Sequence, residues 1–146
     1  MIRLNRISKR KSNSSRQAAA TIELAICLPI LVSIAFSTVE ICSALYLKES
    51  LTIAAYEGSR VGKAAGGTNA NAVARVFSIL DERGIKYDRS SAVTISNPGF
   101  DTAGELTLVT VTVQVAAQEN TISLTRLFFG TLIEARVVCA KEFKNA

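Results

Sequence analysis

The strongest structural signal of this chain is the apolar run LAICLPILVSIAFSTVEICSALYL, residues 24–47, whose only charged side chain is Glu40. An α-helix needs about 20 predominantly apolar residues to cross a bilayer core of about 30 Å. The stretch therefore predicts one transmembrane helix that ends near Leu47. Glu40 lies about 25 Å along such a helix from Glu23. We expect the two carboxylates near opposite interfaces, where a charge costs less than at the bilayer centre.

Positive charge is concentrated before this helix. Residues 1–17 contain no acidic side chain and six basic ones, namely Arg3, Arg6, Lys9, Arg10, Lys11 and Arg16. The rest of the chain is nearly neutral, so the net charge of +5 belongs to the tail and does not indicate a nucleic-acid-binding surface. Cationic flanks stay on the cytoplasmic side of a membrane. We predict a single-pass protein of the inner (cytoplasmic) membrane with its N-terminus inside and its C-terminus outside the cytoplasm; a basic arm that contacts RNA or DNA is the alternative.

A cleaved secretory signal peptide is the rival interpretation of the apolar stretch. Ser33-Ile34-Ala35 resembles a small-x-small cleavage site after a short apolar core. Two features oppose this interpretation: the apolar run continues well beyond Ala35, and Glu23 stands at the head of the core.

A helical pattern continues past the membrane segment. Small and apolar residues recur there at steps of three and four: Leu47, Leu51, Ala54, Gly58, Val61 and Ala65. This stripe predicts one continuous helix from about residue 20 to residue 65, which Gly66-Gly67 ends. We expect Thr68 or Asn69 to cap a second helix and Gly84 to end it. The predicted inner face of the second helix consists of Val73, Val76, Phe77 and Leu80.

Beyond Gly84 the apolar period changes to two, which indicates strands. We predict strands at residues 92–96, 106–116 and 132–141, with a turn at Asn97-Pro98-Gly99 and a loop or short helix at 118–130. In the second strand Thr107, Val109, Val111, Val113 and Val115 share one face. The fold class is therefore α+β, a long N-terminal transmembrane and amphipathic helix packed on a small antiparallel sheet. The predicted boundaries are a basic cytoplasmic tail at 1–18, a transmembrane helix at 19–47 and an exported domain at 48–146.

Few residues offer catalytic or metal chemistry. The chain contains no histidine, which removes the commonest general base and metal ligand. Its three cysteines are Cys27 and Cys42 in the apolar span and Cys139 near the C-terminus, and no pair has zinc spacing. Gly66-Gly67 is not followed by the Lys-Ser or Lys-Thr of a phosphate-binding loop. We predict a protein without enzyme activity, cofactor or metal, although a Ser–Lys dyad stays open.

The segment RQAAATIELA, residues 16–25, resembles the processing region of prepilins. That region has a basic leader, a small residue, four variable residues, a Glu and then an apolar helix. Ala18 stands at the position of the small residue, which is usually Gly, and Ala19 would become the new N-terminus. The resemblance implies cleavage between Ala18 and Ala19 by a prepilin peptidase. It also implies an assembly role for Glu23, at position five of the mature chain.

The segment EICSALYLKESLTIAAYEGSRVGK, residues 40–63, resembles the part of TadE-like proteins that follows the membrane core. The matching residues are Glu40, Ala44, Leu45, Tyr46, Leu51, Ala54, Ala55, Glu57, Gly58 and Arg60, preceded by Ala20, Glu23, Leu24, Ala25 and Pro29. The chain departs from the family pattern at Cys42-Ser43, where Gly-Arg is usual. The resemblance covers about residues 17–62.

The TadE-like resemblance implies a pilin-like fold and a structural function. The chain would be a minor pseudopilin-like assembly protein of a tight-adherence pilus or a related secretion system. Implied partners are other pilins or pseudopilins, a prepilin peptidase and an inner-membrane assembly platform driven by a cytoplasmic ATPase. A secreted binding module released by signal peptidase is the alternative, and a membrane enzyme is a third possibility.

Three features of this segment have alternative interpretations. Glu57 and Arg60 are three residues apart, so they can form an ion pair on the helix surface instead of binding a partner. The small residues suit either packing on the chain's own sheet or bundling with neighbouring subunits. Glu40 likewise is either an interfacial carboxylate or an assembly residue that pairs with a partner helix.

Overall fold

The computed structural model describes residues 11–122, 124, 127–128 and 130–142, with side chains from Arg16 onward. Its elements in chain order are α1 (Lys11–Lys63), α2 (Asn69–Glu82), β1 (Val93–Ile95), β2 (Leu108–Ala116), the short α3 (Ala117–Asn120) and β3 (Leu132–Ala140). The strands form one antiparallel sheet in the order β1-β2-β3. The predicted α+β class is confirmed. Most of the basic tail, including Arg3, Arg6, Lys9 and Arg10, lies outside the described residues.

Helix α1 is a single helix of 53 residues, about 80 Å long. It begins nine residues earlier than predicted, at Lys11, and ends at Lys63. Its two halves have different surroundings. Every residue from Arg16 to Phe36 is exposed, whereas from Glu40 onward one face is buried against the rest of the chain. The exposed half contains the apolar run and is long and apolar enough to cross a membrane.

Polar side chains in the exposed half of α1 bond to the helix itself. Ser33 Oγ donates to the carbonyl oxygen of Pro29 at 2.8 Å, and Ser37 Oγ donates to that of Ser33 at 2.8 Å. Thr38 Oγ1 donates to the carbonyl oxygen of Ile34 at 2.9 Å. These bonds satisfy the hydroxyl groups without water, as a lipid-facing helix requires. Pro29 lies inside α1, and the helix continues through it.

The buried stripe of α1 agrees with the predicted one up to Gly58 and then diverges. Leu47, Leu51, Ala54 and Gly58 are buried. Val61 is only half-buried, and Ala65 is exposed because α1 has already ended. Ala55 and Gly62 are buried in their place. The stripe drifts around the helix because a step of 3.6 residues does not repeat evenly over four turns.

Helix α2 has the predicted cap and a slightly different inner face. The side chain of Thr68 accepts a hydrogen bond from the Asn71 N–H at 3.1 Å, and Gly84 follows the helix with φ +65°. The predicted residues Val76 and Leu80 are buried. Val73 and Phe77 are only half-buried, and Ala72 and Ile79 complete the buried face instead. The prediction missed Ala72 because its small side chain carries little hydrophobic signal.

The sheet follows the predicted alternation. In β2 the four valines Val109, Val111, Val113 and Val115 are buried, and Ala135 of β3 is buried opposite Val113. The intervening residues of both strands form the outer face of the sheet, which is not covered by a helix within the described residues. Helix α1 packs on β2 and β3, and α2 packs on α1. The core therefore lies between the second half of α1, α2 and one face of the sheet.

Phe100 closes the core near the end of α1. It is almost fully buried, and its ring lies directly against the backbone of Gly62. The Phe100 N–H donates to Asn69 Oδ1 at 2.7 Å, and the Asn69 N–H in turn donates to the carboxylate of Asp101 at 3.2 Å. The predicted turn at residues 97–99 is thus followed directly by a core residue. The sequence did not predict this burial, because one aromatic residue beside a turn has no periodicity.

Candidate functional site

Ala18, Ala19 and Glu23 all lie on the exposed half of α1. Glu23 is four residues from Ala19, so the two residues lie about one turn apart on the same side of the helix. A free amine on Ala19 would therefore be on the same helix side as the Glu23 carboxylate. The described structure contains the uncleaved chain, in which the helix runs through the Ala18–Ala19 peptide bond. Cleavage here and the assembly role of Glu23 stay predictions.

Glu40 lies at the junction between the exposed and the packed halves of α1. Its side chain is fully buried, with 0% of its surface exposed. The Phe128 N–H donates to a carboxylate oxygen of Glu40 at 3.4 Å. The expected interfacial carboxylate is therefore enclosed by the protein's own backbone. Because an ionised group is costly in an apolar environment, this enclosure lets a carboxylate stand close to a membrane boundary.

A second contact ties the same segment to α1 one turn further along. The Ile122 N–H donates to Ser43 Oγ at 3.3 Å, and Ser43 Oγ donates to the carbonyl oxygen of Glu40 at 2.8 Å. Together with Phe128, these groups fix both ends of the segment between α3 and β3 to one helical turn. The sequence predicted Glu40 as a site residue, but it did not predict the contacts of Glu40 and Ser43 with this segment. The only signal of these contacts is that Ser43 stands at the position where TadE-like proteins usually have Arg.

Glu40 and Glu23 are not brought together, since they lie about 25 Å apart along one helix. The two predicted assembly residues also have different environments: Glu23 is exposed, and Glu40 is buried. The two carboxylates therefore cannot contact the same group, and each would act at its own position along the helix.

Glu57 is the centre of a surface ion-pair cluster. Arg60 Nη2 donates to Glu57 Oε2 at 2.8 Å, which confirms the pairing expected from their three-residue spacing. Arg75 of α2 also lies 3.8 Å from the same oxygen. Sequence reasoning missed Arg75 because it is distant in the chain. Glu57 thus connects the two helices, and exposed pairs of this kind contribute little stability.

Gly58 beside it allows α1 and α2 to approach closely. A Cβ atom at position 58 would lie 2.5 Å from Cγ2 of Val76 and 3.1 Å from the Ala72 carbonyl oxygen. The small residues Ala54, Ala55 and Gly58 are all buried within the chain. Of the two interpretations left open by the sequence, the structure therefore supports packing within the subunit for this part of the stripe.

Catalytic chemistry has little support in the described residues. They contain no group of three or more Asp, Glu, Cys or His residues that could hold a metal ion. The cavity at the end of α1 includes Lys141, but its ammonium group is already bound to three carbonyl oxygens, those of Gly62, Ala64 and Gly67. Burial raises the pKa of the Cys139 thiol, which lies 3.6 Å from the Val109 carbonyl oxygen. Because the thiolate is the nucleophile, this cysteine is not activated.

Comparison with known families relates part of the chain to one of them. The family model described as TadE-like protein matches residues 18–60. This segment of the chain is TadE-like. The resemblance inferred from the sequence is thereby confirmed for the part of the chain that contains both the exposed apolar half of α1 and most of its packed half.

The TadE-like segment ends at Arg60, so α2 and the sheet lie beyond it. It includes Ala18, Glu23, Glu40 and the Glu57–Arg60 pair. The match suggests involvement with tight-adherence pilus systems. No curated protein matched the chain, and no solved structure matched it.

Proposed function

We propose that this protein is a minor pseudopilin-like structural and assembly protein of a tight-adherence, type IV-like pilus or a related secretion system. The observation that carries the proposal is the division of α1 within its TadE-like segment. The first half is apolar and exposed, and the second half packs against α2 and the sheet in a compact α+β domain. This pilin-like arrangement suits a subunit that is anchored by one helix and assembles through it.

The proposed location is the inner membrane, in a single-pass orientation with the N-terminus in the cytoplasm. The six basic residues before the apolar run support this orientation, because positive flanks stay on the cytoplasmic side. The folded domain would then lie outside the cytoplasm. A reporter enzyme that works only outside the cytoplasm should be active when it is fused after Ala146, and one that works only in the cytoplasm should be inactive there. The reverse result would contradict the orientation.

The proposed partners follow from the TadE-like resemblance, and the exposed half of α1 is the surface proposed for contact with other subunits. Its apolar side chains can contact lipid or the corresponding helices of pilins and other pseudopilins. The prepilin peptidase would cut between Ala18 and Ala19, and an inner-membrane platform would receive the subunit. The proposed function is structural, without an enzyme activity or cofactor, and its support is the exposed apolar half of α1 together with the TadE-like match.

The mature N-terminus separates this function from the alternative of a secreted binding module. The protein would be expressed from its complete gene in its own host, and the mass of the mature chain would be measured in the membrane fraction and in the medium. A membrane-bound chain that begins at Ala19 supports the proposal. A released chain that begins just after Ala35 would instead establish the secreted module.

Pilus output provides the direct test. A host that lacks this chain should lose surface pili or show fewer of them, and the wild-type chain should restore them. A control variant, Glu49→Ala, changes an exposed acidic residue outside the apolar run and should restore them equally. Normal piliation without the chain would contradict the proposed assembly function.

A further inference from the structure

The folded domain exposes apolar side chains at two opposite ends. One set follows α3 and consists of Ile122, Leu124 and Leu127, which are 54%, 51% and 54% exposed; we call it the juxtamembrane patch. The other set, Leu106, Leu108 and Val138, lies near the residues that meet the end of α1. The two sets have comparable exposure but different distances from the apolar half of α1.

Hydrogen bonds hold the juxtamembrane patch beside the point where α1 leaves its exposed half. Ile122 is bound through its N–H to Ser43, and the residue after Leu127 is bound through its N–H to Glu40. The Ala117 N–H donates to the Thr131 carbonyl oxygen at 3.0 Å, which closes the segment at the base of the sheet. The patch is therefore attached to one level of α1.

That level coincides with the expected edge of the membrane. The exposed side of α1 stays apolar through Ile41, Leu45 and Tyr46 and then becomes charged at Lys48 and Glu49. The run from Leu24 to Tyr46 is about 33 Å long, against about 30 Å for a bilayer core. Glu40 and Ser43 lie about 5–9 Å before Tyr46 along the helix.

We propose that the juxtamembrane patch inserts into the lipid surface, at the boundary between headgroups and acyl chains on the side that carries the folded domain. The proposal rests on the membrane anchoring contained in the proposed function. Continuity with the exposed apolar face of α1 identifies lipid as the occupant. Apolar groups of interfacial segments enter about 5–10 Å into this boundary, which is the depth set by the two attachment points.

This placement explains why the backbone encloses Glu40. The carboxylate lies at a depth where lipid would otherwise surround it, and the segment between α3 and β3 separates the two. The exposed side chains of Ile122, Leu124 and Leu127 face acyl chains, while the N–H groups of Ile122 and Phe128 bind Ser43 and the carboxylate. The contact also restricts the tilt of the domain on its single helix, so that the sheet has a defined orientation relative to the membrane.

Single-tryptophan reporters test the proposal cleanly, because the chain contains no tryptophan. The full chain, as Leu124→Trp or Leu127→Trp, would be reconstituted in phosphatidylcholine vesicles with bromine atoms on the acyl chains near the headgroup. We expect blue-shifted emission and strong quenching of both reporters. The matched control is Leu108→Trp, at a site that is 65% exposed on the far end of the domain; it should emit as in water and stay unquenched.

A reporter within the span, Phe36→Trp, distinguishes the possible failures; because it lies about 15 Å from Tyr46 along the helix, it is measured in vesicles with bromine near the ends of the acyl chains. If Phe36→Trp is quenched but both patch reporters emit like Leu108→Trp, the lipid contact is refuted and the membrane anchor stands. Blue-shifted patch reporters that bromine does not quench would show a protein contact and also refute the proposal. If Phe36→Trp itself is not quenched, the membrane anchor of the proposed function fails, and the patch inference fails with it.

Discussion

Gly58 of α1 and Val76 of α2 are in direct contact, and a Cβ atom at position 58 would lie 2.5 Å from Cγ2 of Val76. The Ala72 carbonyl oxygen on the same side of α2 would be 3.1 Å away. The crossing of the two helices therefore depends on the absence of a side chain at one position of the TadE-like segment. Because backbone atoms form part of the contact, the crossing cannot adapt by a rotamer change alone.

The first prediction concerns this crossing. Gly58→Ala should lower the free energy of unfolding of the domain by about 1–3 kcal/mol, the usual cost of overpacking a close contact. Urea-dependent proteolysis of the full chain in detergent would measure the change. Gly104→Ala is the control, since its Cβ would meet only Thr107 Oγ1 at an ordinary 3.4 Å. Equal free energies of unfolding of the two variants would show that α1 and α2 can move apart by the width of a methyl group without loss of stability.

The second prediction concerns Lys141, whose ammonium group caps the end of α1. It donates to the carbonyl oxygens of Gly62 at 2.9 Å and Gly67 at 2.8 Å, and it lies 5.7 Å from the centre of the Phe100 ring. Lys141→Met keeps the apolar stem but removes the donors and the charge. It should lower the free energy of unfolding by about 1–3 kcal/mol. The same proteolysis assay would measure it, with Lys86→Met at an exposed site as the control. A loss no larger than that of the control would exclude the cap as a source of stability.

The third prediction concerns Glu40. Glu40→Leu should leave membrane insertion intact, because it lengthens the apolar run, but it removes the acceptor of the Phe128 N–H. Leaving a partly buried donor without its acceptor costs up to about 1–3 kcal/mol, so the contacts of Phe128 and Ile122 with α1 should open more often. Hydrogen exchange of the full chain in lipid nanodiscs should be faster at Phe128 and Ile122, and unchanged in β2.

Glu40→Gln is the matched variant, since its amide oxygen can still accept a hydrogen bond. The N–H groups of Phe128 and Ile122 should therefore keep most of their protection from hydrogen exchange. If Glu40→Leu abolishes pilus output while hydrogen exchange is unchanged, Glu40 acts on a partner helix rather than on its own chain. That outcome would restore the assembly interpretation of this residue.

The fourth prediction concerns Glu23, which is exposed in the apolar half of α1. Cleavage after Ala18 would create an amine one turn away, and pairing with the terminus of another subunit would offset part of the cost of two charges near lipid. Glu23→Ala should therefore insert and be cleaved normally but co-purify less with pilins or pseudopilins. Mass spectrometry and co-purification would measure these properties, with Glu49→Ala as the control.

Two results would contradict this mechanism in different ways. A wild-type chain that keeps its residues before Ala19 has no new amine, so the mechanism could not operate. A cleaved Glu23→Ala variant that co-purifies like the control would reduce Glu23 to an ordinary interfacial residue.

Local patterns were sufficient to predict the elements of this chain. The apolar run, the valine alternation in β2, the Thr68 cap and the Gly84 stop each depend on neighbouring residues, and the structure confirms all four. Errors occurred where a residue has little local signal. Ala72 is too small to mark a buried face, and Phe100 enters the core from a turn without periodicity.

Residue polarity and a period of 3.6 were enough to predict that the first half of α1 is apolar and exposed and that its second half covers a sheet. The contacts of the polar residues at the junction are visible only in the folded chain. Ser43 and Ile122 are 79 positions apart in the chain, and Glu40 and Phe128 are 88 positions apart. A contact between a side chain and a distant N–H has no pattern in sequence. The same reason applies to Lys141 and α1: only folding brings the donor to the helix end.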